Sequence, residues 1–447
     1  MADHSDTIFA LSSGRVPAAI AVVRMSGPHA RFGLETLMGR VPEPRRATLA
    51  RLRDPATQDL LDQCVVLWFP GPRSETGEDV AELQLHGGPA VVAGVLAALG
   101  RLPGFRPAEA GEFTRRAFEN GQLDLTAVEG LADLVGAETQ AQRRQALLQL
   151  RGQLGQRADA WRKELTEALA LVEAGIDFSD EGDVPLDLGA SARAKAAEIA
   201  DQIGAALADD RRGERLRDGL VIAIAGPPNA GKSSLLNRLA QREAAIVSPY
   251  AGTTRDVIEV HMELDGYPVT LVDTAGIREA ADPVEQEGVR RARARVDAAD
   301  LVLWLRDAGG DANASVPQES EGRQLWQVWN KIDLIDSDPQ QEDGEGAGRV
   351  FRLSAKTGAG LDGLIAALSG YAADAIGSGE GALITRARHR HHLSEARAAL
   401  LAAQAPKAEE LLAEDLRVAA AALGRLTGRI DVEQILDVIF RDFCIGK

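Results

Sequence analysis

The sequence predicts three domains of different class: an α+β N-terminal domain, an all-α helical domain, and an α/β Ras-like P-loop domain inserted into the helical one. Three observations carry that reading. Residues 220–368 alternate apolar runs with helical stretches, the pattern of a parallel sheet with crossover helices. The zones on either side, 123–217 and 386–447, place apolar residues at helical spacing, as in Ala146, Leu147, Leu150 and Leu154, then Leu400, Leu401, Leu411, Leu412 and Leu416. Residues 1–120 mix short β-like runs with Gly and Pro turns. The expected boundaries are 1–120, 121–217, 218–376 and 377–447, the second and fourth segments making one helical domain. Such an insertion is tolerated because domain termini lie close together.

The elements follow in order. Residues 18–23, 64–69 and 80–85 read as strands, and residues 90–99 as a helix among them. Leu165, Leu169 and Val172 continue the helical spacing until an acidic break at 177–185, which separates two helices. Strands are expected at 220–225, 269–272, 325–328 and 350–353, with a helix over 234–239. The Gly-rich segments 342–348 and 376–381 read as flexible loops.

At 447 residues the chain has room for two to four domains, and 45% hydrophobic with 26% charged residues is ordinary for a globular protein. The net charge of −17 repels polyanions, so a nucleic-acid contact needs a local basic patch or a partner. Cys64 and Cys444 are too far apart in sequence to suggest a disulfide framework or a zinc spacing. No signal-like N-terminus and no apolar run of membrane length is seen, so a cytoplasmic protein without a membrane role is expected.

Between the strand at 220–225 and the helix at 234–239 stand Gly226, Pro227, Pro228, Asn229, Ala230, Gly231, Lys232 and Ser233. They form G-x-x-x-x-G-K-S in the strand–loop–helix setting of a phosphate-binding loop. Glycines let backbone N–H groups approach phosphates at the positive end of a helix. Lys232 has the reach for the β and γ phosphates, and the Ser233 hydroxyl suits Mg²⁺. Ser234 extends the contact set. The next strand ends in Asp273, Thr274, Ala275 and Gly276, a carboxylate for Mg²⁺ and an N–H for the γ-phosphate. A third ends in Asn330, Lys331, Ile332 and Asp333; Asp333 offers acceptors to the N1–H and 2-amino group of guanine, which adenine does not present. A fourth leads to Ser354, Ala355 and Lys356, whose backbone suits guanine O6. All four motifs in this order specify GTP. Between the first two lie Ser248, Pro249, Tyr250, Ala251, Gly252, Thr253 and Thr254, where Thr254 is the natural second hydroxyl for Mg²⁺. Ile277 stands where Ras-type enzymes carry a water-orienting Gln, so hydrolysis needs another device.

G-x-P-N-A-G-K-S-S-L-L-N, A-G-T-T-R-D and D-T-A-G-I-R resemble the MnmE (TrmE) family of tRNA-modification GTPases. The resemblance extends to residues 76–80, 86–89 and 111–118, and to the terminal Cys444, Ile445, Gly446 and Lys447. It implies potassium dependence, with Asn229 and the loop residues Ser248, Tyr250 and Thr253 holding K⁺, and Glu285 positioning the catalytic water indirectly. It implies an N-terminal fold that binds tetrahydrofolate, as the 5,10-methylene or 5-formyl form, through Arg24, Glu82 and Lys447. The family's lysine in N-G-K-L-D-L is Gln122 here, which keeps hydrogen bonding and loses the charge. Cys444 is the candidate nucleophile for a folate-borne one-carbon unit. The resemblance further implies a homodimer, a heterotetramer with the FAD-containing MnmG, and tRNA bound largely through that partner. The alternative from the G motifs alone is an Era- or Der-type switch GTPase of ribosome assembly. The run Arg386, Ala387, Arg388, His389, Arg390, His391 and His392 reads as a solvated basic helix start rather than a metal or RNA site.

Overall fold

The computed structural model describes residues 5–177, 188–209, 211–242, 259–273, 299–310, 324–335, 338, 340–343, 348–377, 382–430, 436 and 446. Its contacts divide the chain into two compact units. One comprises Met1–Ala132, Gln149–Asp201 and His392–Lys447, and the other Asp133–Leu148 and Gln202–His391.

The first unit begins with β1 (Thr7–Leu11), β2 (Ala18–Ser26), α1 (Ala30–Met38), β3 (Thr48–Arg53), β4 (Leu60–Phe69), β5 (Val80–Gly87), α2 (Pro89–Gly100), β6 (Phe105–Pro107) and α3 (Glu112–Glu119). The strands form one sheet in the order β3-β4-β5-β2-β1-β6. Alternation decides which face is buried: Val23 and Met25 of β2, Leu83 and Leu85 of β5 and Val66 and Trp68 of β4 enter a core closed by Leu34, Leu37, Val95 and Leu99 of the two helices. Gly87 has no room for a Cβ, which would lie 2.3 Å from the Ala18 carbonyl, and Pro89 sits at the start of α2, where its missing N–H costs nothing. The α+β expectation holds, although the short strands β1, β3 and β6 and the helices α1 and α3 carried no periodicity long enough to be read beforehand.

Helices follow as α4 (Leu125–Gly136), α5 (Gln140–Leu150), α6 (Gln153–Asp177), α7 (Leu188–Leu207) and α8 (Arg212–Asp218). In the second unit β7 (Leu220–Ala225), α9 (Lys232–Arg242), β8 (Glu259–Leu264), β9 (Tyr267–Asp273), β10 (Leu301–Asp307), β11 (Gln324–Asn330), β12 (Gln340–Asp343), β13 (Arg349–Arg352) and α10 (Leu361–Ile376) make an α/β layer. Its sheet order is β12-β13-β11-β10-β7-β9-β8. β7 pairs parallel with both β9 and β10, so the chain direction of growth reverses beside it. Ligands of open parallel sheets bind at such a reversal, beyond the carboxyl ends of the strands. Ile222 and Ile224 of β7, Leu271 of β9, Leu303 and Leu305 of β10 and Trp326 and Val328 of β11 build the core under that edge. The last helices among the described residues are α11 (Ala387–Ala403) and α12 (Glu409–Thr427), and α12 packs along α6.

Two expectations need correction. Residues 342–348 are not all loop: Gln340–Asp343 forms β12, antiparallel to β13, with Glu342 opposite Val350; residues 344–347 lie outside the described set. A polar strand is acceptable there because β12 is at the sheet edge. The basic run 386–392 is not a solvated helix start. His389 is fully buried and His392 nearly so; Arg386 donates to Asp133 at 2.6 Å, and Arg390 to Glu214 at 2.9 Å and to Asp209 at 2.7 Å. Three carboxylates in surrounding helices and loops draw the arginines inward, which their spacing in sequence does not reveal.

Candidate nucleotide-binding site

Asp273, Asp307 and Asn330 are the last residues of β9, β10 and β11, so the sheet itself delivers them to the edge above β7. The phosphate-binding loop leaves β7 at Gly226, whose φ of 143° and lack of a Cβ let it cross 2.3 Å, measured from an ideal Cβ, above the Leu305 carbonyl. Asn229 is exposed with a left-handed φ of 63°, a conformation asparagine tolerates better than most residues. Gly231 lies against Asn330, where a Cβ would come 2.3 Å from Nδ2. The loop therefore requires its glycines for passage over the sheet, independently of any phosphate.

Lys232 starts α9 and is largely buried, its Nζ donating to the carbonyls of Gly226 at 2.9 Å and Pro227 at 3.0 Å. Those bonds hold the ammonium over the loop. The Ser233 hydroxyl donates to Asp273 Oδ2 at 2.6 Å, the short distance of a hydroxyl on a carboxylate. Asp273 is 2% exposed. This hydroxyl–carboxylate pair is a hard oxygen donor set of the kind Mg²⁺ takes when it keeps most of its waters and binds substrate phosphates. Mg²⁺ held there would neutralise charge between the β and γ phosphates. Ser234 is exposed on the first turn of α9.

The loops expected to face the base are joined by Asn330. It donates through Nδ2 to the Ala230 carbonyl at 2.9 Å and accepts at Oδ1 from the Ala355 N–H, also at 2.9 Å. One buried side chain thus ties the phosphate loop to the loop after β13. Asp333 accepts at Oδ1 from the Ser354 hydroxyl at 2.6 Å. That bond aims a carboxylate with a remaining oxygen for a donor pair, which matches guanine. Lys331 has a left-handed φ of 67°, and its ammonium donates to Asp307 at 2.8 Å. The Lys331 hydrogen bond, with one from the Gly309 N–H, holds the Asp307 carboxyl below the usual carboxylate range. Lys356 is exposed beyond Ala355. Asp307, and the bridging role of Asn330, escaped the sequence reading; a carboxylate ending the strand before the N-K-x-D strand was the available signal.

Ser248, Pro249, Tyr250, Ala251, Gly252, Thr253, Thr254, Thr274, Ala275, Gly276, Ile277 and Glu285 lie outside the described residues, as do Cys444 and Lys447.

In the N-terminal sheet Arg24 and Glu82 face each other across β2 and β5. Arg24 donates to Glu82 through Nε at 3.1 Å and Nη2 at 2.9 Å, pairs through Nη1 with Glu75 at 2.6 Å, and lies 5.8 Å from the Phe113 ring centroid. Gln122 is exposed, with its Nε2 3.2 Å from where a Cβ of Gly77 would be. Gly446 packs on the end of β1, leaving no room for a Cβ beside the Leu11 carbonyl. Beneath lies a network read in the sequence only as motif: Arg116, fully buried, donates to Glu78 at 3.1 Å, Asp6 at 2.9 Å and Glu112 at 3.2 Å, while Arg106 also binds Asp6 and Glu112. Burial alone would raise the carboxyls of Asp6 and Glu112; the hydrogen bonds from the arginines outweigh it and hold both below their ordinary values.

Comparison with known proteins gives the family. The family model for the GTP-binding protein TrmE N-terminus covers residues 7–122, and that for the MnmE helical domain covers residues 125–444. A tRNA modification GTPase MnmE of Bradyrhizobium sp. (strain ORS 278) is 57% identical over 449 residues, covering 100% of both chains. The protein of the same description from Rhodopseudomonas palustris (strain BisB18) is 58% identical over 454 residues, again over 100% of each. Among solved structures, a variant of Aquifex aeolicus Era bound to GDP.AlF4- is 28% identical, with a TM-score of 0.24, over 34% of this chain and 56% of that one. The nucleotide site is that of a GTP hydrolase, no helix of the described residues is long and apolar enough to cross a membrane, and the chain belongs to the MnmE family of tRNA modification GTPases.

Proposed function

We propose that this GTPase acts on tRNA: with potassium-stimulated GTP hydrolysis, and with an FAD-containing MnmG partner, it adds a (carboxymethyl)aminomethyl group to C5 of the wobble uridine of certain tRNAs. The observation that carries the reading is a guanine-nucleotide site, with Ser233 on Asp273 and Asn330 bridging Ala230 to Ala355, within a chain aligned end to end with tRNA modification GTPases. The ribosome-assembly switch gives way, since it leaves the N-terminal match over residues 7–122 without a role.

Asn229, exposed on the phosphate loop, supplies the side-chain oxygen for K⁺, with Ser248, Tyr250 and Thr253 as the remaining donors and Thr254 as the second hydroxyl for Mg²⁺. A monovalent cation beside the β and γ phosphates takes the place of the Gln that Ile277 cannot supply, and Glu285 orients the water. In the N-terminal sheet the Glu82 carboxylate, held by Arg24, presents acceptors to the amide and amino group of a pterin, with Gln122 and Lys447 as further folate contacts and Cys444 as the candidate nucleophile. The working assembly is a homodimer that joins MnmG in a heterotetramer.

The test is mass analysis of wobble uridines from cells lacking this protein, together with GTP turnover in KCl and NaCl. Loss of the modified uridine and faster turnover in KCl are expected, with the stimulation abolished in Asn229→Ala. Unchanged uridines would remove the tRNA role; equal rates in the two salts would remove the potassium role.

A further inference from the structure

We propose that a cleft on the N-terminal unit, between the end of α1 and the edge strand β3, binds the phosphate backbone of tRNA directly. The cleft encloses about 560 Å³ and is lined by Arg40, Leu49, Arg51, Arg53, Gln58 and Gln63 among others, with no carboxylate in the lining. Ala50 and Leu52 of β3 point into the core, so Leu49, Arg51 and Arg53 share the outward face. Arg51 and Arg53 stand about 7 Å apart along the strand, at every second residue. β3 is the first strand of its sheet, so this face lies along an open edge.

What these arginines touch is uncharged. Arg51 donates to the amide oxygen of Gln63 at 3.4 Å, and Arg53 to the Gln58 carbonyl at 2.8 Å; both acceptors are neutral. Of the neighbouring carboxylates, Asp54 is engaged by Arg101 at 2.5 Å, Asp62 by His86 at 2.8 Å, Glu35 by Arg31 at 3.2 Å and Glu43 by Arg46 at 2.7 Å, while Asp59, beside Gln58, is exposed and outside the cleft lining. Three exposed guanidinium groups therefore line one cleft, and none of them forms an ion pair with a described carboxylate, in a protein of net charge −17. A polyanion is the complementary occupant, because guanidinium binds phosphate through two parallel hydrogen bonds. The neutral glutamines leave no repulsion at the site. The family's substrate supplies a phosphate backbone, and the inference rests on the tRNA reading above. It assigns part of the tRNA affinity to this chain rather than all of it to a partner.

The test compares the full-length protein with the triple variant Arg40→Gln, Arg51→Gln, Arg53→Gln, binding fluorescein-labelled tRNA at a series of KCl concentrations. Each phosphate contact contributes roughly 0.7–0.9 to the slope of log K against log salt, so the slope should fall by about 2 to 3 and affinity by about ten-fold or more. The triple lysine variant, which keeps the charges, should retain most of the binding. GTP turnover and molar mass are measured alongside. Wild-type binding with an unchanged slope in the glutamine variant would overturn the proposal alone. Absence of wild-type binding would overturn the proposal and leave the tRNA affinity to the partner, with the tRNA reading itself judged by the wobble-uridine analysis above. A change in molar mass with unchanged affinity per assembly would make the face a self-interface and overturn the proposal.

Discussion

Asn330→Ala tests the claim that one side chain organises the nucleotide site. Asn330 is 2% exposed and makes two hydrogen bonds of 2.9 Å, to the Ala230 carbonyl and from the Ala355 N–H. Each such bond contributes roughly 1 kcal/mol net, so about 2 kcal/mol of loop organisation disappears, more if the buried partners stay unsatisfied. If that organisation is restored on nucleotide binding, GDP and GTP should bind about 30-fold more weakly, since about 1.4 kcal/mol is a factor of ten. Asn330→Asp sharpens the test. Its carboxylate still accepts from Ala355 but faces the Ala230 oxygen with a second acceptor, so it should be worse than alanine at about pH 8 and recover toward about pH 5, where a protonated acid donates again. Titration with a fluorescent GDP analogue measures both. An alanine variant within about three-fold of wild type, or an aspartate variant indifferent to pH, would refute the bridging role.

Two further outcomes follow from buried ionisable groups. Arg116→Met removes the arginine from Glu78, which keeps the Ser26 hydroxyl, and leaves Asp6 and Glu112 with Arg106 as the remaining arginine, so it should cost about 3–5 kcal/mol at about pH 7. Asp6 and Glu112 are held below their ordinary values, so their stabilisation is present above the unfolded values near about pH 4 and is lost as pH falls through the folded ones; thermal melts should show the gap between variant and wild type narrowing in acid, and a gap constant with pH would contradict the network. The Cys64 thiol is pushed up to about 12, chiefly by burial, so in a Cys444→Ser variant no thiol should react with a disulfide reagent at about pH 8 until denaturant is added.

The parts legible in the sequence were those in which one local pattern has one physical meaning. The apolar run of β7 followed by the glycine-rich loop announces a buried strand and a phosphate loop, because the motif spacing and the bonds of Lys232 back to Gly226 and Pro227 are local. Asp273 and Asn330 were found for the same reason, each closing an apolar strand. Short strands such as β6, three residues long, offered no period to read. β12 was hidden because edge strands permit glutamine and acidic residues that elsewhere signal a loop.

The sequence by itself therefore determined the chemistry of the nucleotide site and the order of domain classes, since motif spacing and hydrophobic period are properties of neighbouring residues. Only the tertiary structure decided which distant groups meet. It set Asn330 between Ala230, 100 residues before it in the chain, and Ala355, 25 residues after it. It also laid Arg24 against Glu82 and Glu75, buried Arg116 among three carboxylates, and turned the run at 386–392 inward onto Asp133, Asp209 and Glu214. A charge in a sequence carries no label saying whether it is solvated. Its partner is chosen by sheet register and helix packing, and those are set by long-range burial rather than by the residues beside it.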